Sequence, residues 1–180
     1  MQTLVVRRVV AYLVDSVVIF ALFASLHVAL WFGTGGGVHG AVGELASPWA
    51  NWLWVFLVNT AIAGGLYLAV TESSPRAATL GKQALGIRIE SEGTMTFGRA
   101  YLRALVKLVP WEMFHVALMF FAVQTSAETP LAFELVQPGY TIFNGLGWLL
   151  IVIYLAMAAF GQGRPPHDRI SGTRVVRSSS

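Results

Sequence analysis

The stretch that decides the fold is RRVVAYLVDSVVIF, residues 7–20, which joins an apolar helical run to one acidic residue. The apolar run continues to Phe32, and a span needs about 20 such residues at 1.5 Å rise each. Asp15 lies roughly two turns inside the run. A charge there is costly, so it normally faces the bundle interior, water or a partner. The partner of Asp15 therefore determines how the helices pack.

The composition indicates a membrane protein. The 180 residues are 56% hydrophobic and only 12% charged, with a mean hydropathy of +0.64, whereas soluble domains carry about 25% charged residues. The sequence contains no cysteine, which excludes disulfides, thiolate metal sites and cysteine nucleophiles. The first apolar run is too long for the hydrophobic region of a signal peptide, so we expect no cleavable signal.

The hydropathy pattern predicts an all-α membrane protein with four transmembrane helices in a single domain, residues 1–180. The third span is the least regular, because Lys107, Glu112 and His115 lie inside it and Pro110 interrupts it. The polar segment 71–103 and the tail 161–180 should form a small layer on the cytoplasmic side. The predicted spans cover residues 9–32, 52–70, 104–123 and 141–160.

The basic residues predict the orientation. All twelve Lys and Arg residues lie before the first span, between the second and third, or after the fourth. The positive-inside rule then predicts that both termini are cytoplasmic. The expected location is the plasma or inner membrane. The simplest interpretation is that these basic residues only orient the protein during membrane insertion. The alternative is that they form a surface that docks anionic lipid or a partner protein. Four tryptophans mark the opposite, outer interface: Trp31, Trp49, Trp52 and Trp54.

The two connections on the predicted outer side, residues 33–51 and 124–140, contain no Lys or Arg. The glycine-rich stretch GTGGGVHG, residues 33–40, resembles a phosphate-binding loop only in its glycine content. No strand precedes it and no GK[ST] follows it. It is interpreted as a flexible tether.

The cytoplasmic segment predicts three elements. RAATLGKQALG, residues 76–86, is typical of an amphipathic interfacial helix with Arg76 and Lys82 toward headgroups. Apolar and polar residues alternate in IRIE and in TMTF, and SEG lies between the two segments. This pattern predicts a β-hairpin with Gly93 in its turn. A helical pattern starts at Phe97, and a short strand from RVV near the C-terminus could lie beside the hairpin.

Three ordered blocks resemble the RDD family of membrane proteins, named for one arginine and two aspartates. The blocks are RVVAYLVDSVV, TLGKQALGIRI followed by TFGRAYLRALVK, and HDRISGTRVV. Arg8, Asp15 and Asp168 stand in the places of the named residues. Leu80 departs from the pattern, since family members often have proline there. The resemblance covers most of the chain and implies a multi-pass membrane fold, with transport as the usual suggestion for activity.

Helix geometry suggests what Asp15 faces. Arg8 lies on the same face about 10.5 Å away along the axis, but its side chain leans toward the N-terminus, so no direct pair is expected. By helix rise from the cytoplasmic boundary, Lys107 of the third span lies less deep in the membrane than Asp15, and Glu112 lies deeper. Lys107 is therefore predicted to be the counter-ion of Asp15.

Asp15, Lys107, Glu112 and His115 form the candidate ligand or ion site. One interpretation is a structural polar network that fixes how the spans pack. The other is a cytoplasm-facing cavity that binds a cation or carries protons. Glu112-x-x-His115 has the spacing of di-iron bundles, but those contain it twice, so we expect neither a metal nor a cofactor.

Asp168 is predicted to clamp the cytoplasmic layer over the bundle. Its expected partner is Arg88, Lys82 or Arg8, and the alternative is a solvated loop charge. We expect no enzyme, because no Ser/His/Asp arrangement is evident.

Two functions remain open. The first is a transporter or channel-like component that moves an ion or small solute through the polar site, as a homo-oligomer because four spans make a cramped path. The alternative is a scaffold or assembly factor that docks a cytoplasmic partner. The expected partners are the lipid bilayer, an ion or small solute, and a second membrane protein or copy, with no nucleic acid.

Overall fold

The computed structural model describes residues 3–35, 48–121, 123–124, 133–134, 138–160 and 163–178. Four long helical runs dominate it, and two short helices and a small sheet cover one end. Most of the predicted glycine-rich tether, residues 36–40, lies outside the described residues. The first two runs are α1 (Leu4–Gly33) and the continuous series α2 (Pro48–Val55), a π-helical segment (Phe56–Leu66) and α3 (Tyr67–Glu72).

The remaining elements follow in chain order. The central polar segment forms α4 (Leu80–Ala84) and β1 (Ile87–Ser91), and leads into the third run, α5 (Phe97–Phe121). Two residue pairs, β2 (Val123–Gln124) and β3 (Phe133–Glu134), then pair antiparallel. The chain ends with the fourth run, α6 (Pro138–Phe160), and with α7 (Pro166–Ile170) and β4 (Thr173–Arg177).

Three of the four predicted spans fall within a long helical run, and the third, residues 104–123, extends two residues past the end of α5. Three runs are long and apolar enough to cross a membrane, among the residues that the structure describes: Leu4–Gly33, Trp49–Glu72 and Pro138–Phe160. Their outward side chains are strongly exposed and apolar; Val17 is 70% exposed and Phe160 90%. Contiguous apolar surface of this kind marks a membrane or protein interface.

The helix α5 buries most of its charged side chains and exposes apolar ones. Three of its four charged residues are buried, with Arg103 1%, Lys107 9% and Glu112 8% exposed, while the apolar Leu102, Val109 and Leu118 are exposed. It packs against α6, α3 and the π-helical segment. The most polar of the four runs therefore forms the centre of the bundle and presents an apolar face to its surroundings.

Pro110 does not break α5, because the group that it leaves unpaired has another partner. A proline inside a helix cannot donate to the carbonyl four residues earlier, here that of Val106. The Tyr154 hydroxyl of α6 donates to this Val106 oxygen over 2.8 Å. The α5–α6 contact thus satisfies a carbonyl that would otherwise be buried without a hydrogen bond.

Two glycines of the π-helical segment bring it close to α5. A Cβ at Gly65 would lie 2.9 Å from the Tyr101 ring, and one at Gly64 would lie 3.0 Å from Leu108. The absence of side chains at these two positions therefore allows the close contact. The π-helical geometry was not predicted, and such turns often occur at functional positions.

The predicted β-hairpin is wrong. The strand β1 forms, but it pairs antiparallel with β4, from Ile87 opposite Arg177 to Ser91 opposite Thr173. The TMTF segment, residues 94–97, forms no strand and leads into α5, which begins at Phe97; the Thr96 hydroxyl accepts a hydrogen bond from the Arg99 amide over 3.3 Å. The predicted strand RVV is confirmed as part of β4. This pairing ties the end of the chain to its middle.

The small sheet shares a core with the first helix. Ile87, Ile89 and Val175 are buried together with Ala11 of α1. A two-stranded sheet has little stability alone, so this contact stabilises it.

The predicted interfacial helix is shorter and more buried than expected. It starts at Leu80, after the Thr79 hydroxyl accepts from the Lys82 amide, and Lys82 is buried rather than directed toward headgroups. A Cβ at Gly81 would lie 2.2 Å from the Ala11 carbonyl oxygen. Glycine at this position therefore lets α4 lie directly on α1.

Candidate functional site

Buried charges gather at the end of the bundle that carries the sheet. We call them the charged layer, and they come from α1, α3, α4, α5 and α7. Each is at most 9% exposed: Asp15, Glu72, Lys82, Arg103, Lys107 and Asp168. Charges this deeply buried need partners or a function, because desolvation costs several kcal/mol for each ion.

Asp15 faces the bundle interior and accepts three hydrogen bonds. The Tyr67 hydroxyl and the Gly81 amide donate to Oδ1 over 3.0 and 2.9 Å, and the Thr79 hydroxyl donates to Oδ2 over 2.6 Å. Lys107, the predicted counter-ion, makes no direct ion pair with Asp15, although the two charges attract each other. Asp15 therefore joins α1 to α3 and to the start of α4 through neutral donors.

Arg8 connects the first helix to the end of the chain. Its Nη2 donates to the Val175 carbonyl over 2.7 Å, and its Nη1 donates to the Gly163 carbonyl. It makes no ion pair with Asp15, as predicted.

Asp168 is a clamp, but its partner differs from the three that were predicted. Its Oδ1 accepts from Nε and Nη2 of Arg103 over 3.0 and 2.5 Å. Arg88 is exposed on β1, Lys82 bonds elsewhere and Arg8 bonds to backbone. Because Asp168 is fully buried, the alternative of a solvated loop charge is also wrong.

Arg103 and its neighbours form one closed network. Arg103 also pairs with Glu72, and Glu72 pairs with Lys82. The network thus runs Lys82–Glu72–Arg103–Asp168 and balances two cations with two anions. It fastens α3, α4, α5 and α7 to each other.

Burial sets the protonation of two groups at the edge of this network. It lowers the pKa of Lys82 to about 8, although the Glu72 carboxylate opposes the shift. It also lowers the pKa of His167 well below the usual value, and the nearby Arg103 and Lys107 charges add to that effect. His167 is therefore neutral at physiological pH.

A first cavity of about 180 Å³ lies between α1, the π-helical segment and α5. Three of the four predicted site residues line it: Asp15, Lys107 and His115. Asn59 and Thr60 contribute further polar groups. The structure thus brings three of the predicted site residues to one cavity.

Glu112, the fourth predicted residue, lies behind the cavity wall. Its Oε1 accepts from the Thr60 hydroxyl and lies 3.1 Å from Nδ1 of His115. Its Oε2 is buried and has no hydrogen-bond partner among the described residues. The carboxyl group is therefore only half satisfied, in contrast to Asp15. Oδ2 of Asp168 also lacks a hydrogen-bond partner among the described residues, but Arg103 neutralises that carboxylate.

Lys107 is the other unsatisfied group. Its ammonium lies 5.1 Å from the centre of the Tyr12 ring, a cation–π distance. It has no hydrogen-bond or ion-pair partner within the part of the chain that the structure describes. Lys107 lines the first cavity and also a second one on the far side of Tyr12.

Several partners were missed by sequence reasoning. Tyr67, Thr79 and Thr60 are short-range hydrogen bonders with no distinctive spacing, so no signal identified them. Glu72 and Arg103 did carry a signal, because each is a charge at the inner end of a predicted span. No group of three or more His, Asp or Glu that could hold a metal ion occurs among the described residues.

Comparison with known proteins identifies one family. The sequence model of the RDD family matches residues 3–172. The match includes the first two blocks of the predicted resemblance and the third block as far as Gly172. No curated protein and no solved structure shows significant similarity to the chain.

Proposed function

Because this chain belongs to the RDD family, we propose that it is a multi-pass membrane protein that moves an ion or small solute coupled to protons. Glu112 and His115 carry the proton, and the first cavity holds the moving species. The half-satisfied Glu112 carboxyl beside this cavity is the observation that carries the proposal.

The proposed membrane arrangement has four spans, with α5 as the third. Its exposed apolar side chains and buried charges fit a span whose polar groups face the bundle interior. Four spans also place all twelve basic residues on one side, which the positive-inside rule assigns to the cytoplasm. We therefore place the charged layer and both termini on the cytoplasmic face of the plasma or inner membrane.

The chemistry of Glu112 and His115 suits proton movement. Both side chains exchange protons, and 3.1 Å is within hydrogen-bond reach. The free Oε2 can accept a proton without breaking the existing bonds of Oε1. Thr60 and His115 connect this carboxyl to the cavity that they both line.

Asp15 has a different role in this proposal. Both its oxygens already accept hydrogen bonds, so a proton there would weaken those bonds, because a neutral carboxyl group is a poorer acceptor than a carboxylate. Asp15 positions the helices around the cavity and does not carry the moving proton.

Flux through reconstituted protein tests the proposal. Proteoliposomes with an internal pH dye should report proton movement when candidate ions and solutes are added, and Glu112→Gln should abolish it while the protein stays folded. The matched control is Glu90→Gln, which removes an exposed carboxylate on β1 and should leave the flux intact. Wild-type protein with no flux across the panel, or full flux in Glu112→Gln, would contradict transport.

The alternative is a scaffold or assembly factor, and one observation favours it. All three residues named in the family motif join separate segments of the chain: Arg8, Asp15 and Asp168. Their role is then to hold a fixed cytoplasmic surface that docks a partner. Crosslinking that repeatedly returns one partner, together with absent flux, would select this alternative. Homo-oligomerisation and the absence of enzymatic activity stay predictions in either case.

A further inference from the structure

A second cavity forms a cleft in the side of the bundle between α1 and α6. We call it the lateral cleft; its volume is about 310 Å³. Its walls are apolar stripes at helical spacing, and the half-exposed Leu13 and Leu155 show that it opens sideways. The stripes are Val5, Val9 and Leu13 on α1, and Ile151, Leu155 and Ala158 on α6.

The inner part of the lateral cleft is charged. Arg8, Lys107 and His167 line it, together with members of the buried network. That network is neutral as a whole, because Lys82 and Arg103 are matched by Glu72 and Asp168. Two cations, Arg8 and Lys107, then face a single remaining anion, Asp15. The cleft therefore combines apolar walls with an excess positive charge.

Lys107 supplies independent support for a ligand. Its side chain is nine-tenths buried, lines the cleft and makes no hydrogen bond or ion pair with any described residue. A buried ammonium without a direct anionic contact is costly. Glu72 and Asp15 attract the Lys107 charge from nearby, but neither makes an ion pair with it, and the Asp15 carboxylate accepts from three neutral donors instead. An anion from outside the chain would satisfy it.

We propose that the lateral cleft binds one anionic membrane lipid, with its phosphate on Lys107 and an acyl chain between α1 and α6. A phosphate oxygen accepts a charge-assisted hydrogen bond from the ammonium. The apolar stripes exclude a headgroup but match an acyl chain, which the surrounding bilayer supplies at high local concentration. The volume lies at the lower end of the range of ligand pockets. This site does not depend on the proposed proton movement.

Lipid retention on the purified full-length protein tests the site. Native mass spectrometry should show phosphatidylglycerol retained about tenfold more than phosphatidylcholine with the same acyl chains, which is the difference expected from one added ionic hydrogen bond. Lys107→Gln should remove most of that preference, and Lys107→Arg should keep it. Ala158→Trp fills the cleft and should reduce retention of both lipids.

Controls separate the lateral cleft from the general lipid layer. Arg88→Gln removes one exposed charge on β1, outside the cleft, and should leave the preference unchanged. Glycerol phosphate, which has the headgroup charge but no acyl chain, should not displace phosphatidylglycerol. Equal retention of the two lipids, an unchanged preference in Lys107→Gln, or displacement by glycerol phosphate would overturn the proposal. If Lys107→Gln does not fold, unchanged retention in Ala158→Trp overturns it.

Discussion

The charged layer and the first cavity differ in how their polar groups are satisfied. In the layer, Asp168 and Glu72 are matched by basic partners, and Asp15 accepts three hydrogen bonds. Around the cavity, one oxygen of Glu112 has no partner among the described residues, and neither has the ammonium of Lys107, a member of the layer that also lines the cavity. Oδ2 of Asp168 likewise has no hydrogen-bond partner there, but that carboxylate is neutralised by Arg103. Buried charges that pair with opposite charges hold a structure together, whereas buried groups without an ionic partner have capacity left for a proton or ligand.

The largest effect is expected from breaking the network at its centre. Arg103→Leu leaves Glu72 and Asp168 without their shared cation. The loss of one member of a buried ion network costs about 3–5 kcal/mol. Thermal unfolding in detergent should therefore show a severely destabilised or unfolded protein. The control is Arg174→Gln on an exposed pair with Glu90, for which we expect less than about 1 kcal/mol.

A charge swap would sharpen this result. Asp168→Arg alone should unfold the protein, and combining it with Arg103→Asp should recover part of the stability. Combining it with Arg88→Asp should recover none, because Arg88 is exposed away from Asp168. Recovery with the Arg88 variant and not with the Arg103 variant would contradict the observed pairing.

Next in size is the effect of Asp15→Asn. The amide places a donor where the carboxylate accepts from Tyr67, Thr79 and Gly81, so at least one buried donor loses its acceptor. Such a loss costs about 1–3 kcal/mol. A lowered unfolding midpoint with residual flux per folded molecule would fit a positioning role. An unchanged midpoint with complete loss of flux would assign Asp15 to the moving proton instead.

A similar but smaller effect is expected at the α5–α6 contact. Tyr154→Phe removes the donor to the Val106 carbonyl that Pro110 leaves free. We expect a loss of about 1–2 kcal/mol, measured by thermal unfolding. Tyr140→Phe, on the same helix with its hydroxyl bonded to Asn144, is the comparison variant and should cost less.

The smallest effect depends on pH and concerns His167. Burial lowers its pKa in the folded state, so below about pH 6.5 the unfolded chain binds a proton that the native state does not. Stability is therefore lost as the pH falls, by at most about 1.4 kcal/mol per pH unit from this group. His167→Gln should flatten the decline between about pH 6.5 and 5. An equally steep decline in the variant would rule out this cause.

The sequence predicted the helices better than their contacts. Apolar runs and basic connections located four helical runs, and turns of the helix correctly separated Arg8 from Asp15. The hairpin failed because alternation identifies a strand such as β1 but not its partner, which lies more than 80 residues away in β4. Long-range pairing depends on packing that no local pattern contains.

The candidate site was likewise predicted in part. Depth along the helices brought Asp15, Lys107 and His115 to one cavity, because rise per residue is a fixed quantity. The depth of a residue along a helix does not tell which way the helix is rotated about its axis. Lys107 was therefore assigned to Asp15, although neutral donors bind that carboxylate. Arg103 lies on a helix that the pattern from Phe97 predicted, but its partner Asp168 follows the end of another helix, and the sequence does not determine the path of the chain there.

The most direct test compares the two regions in one measurement: proton flux per folded molecule in matched proteoliposomes of Glu112→Gln and Asp168→Asn. We predict that Glu112→Gln reconstitutes at wild-type yield without flux, and that Asp168→Asn loses folded protein while the remaining molecules still carry protons. Wild-type flux in Glu112→Gln, or folded and inactive Asp168→Asn, would contradict the division between a structural layer and a functional cavity.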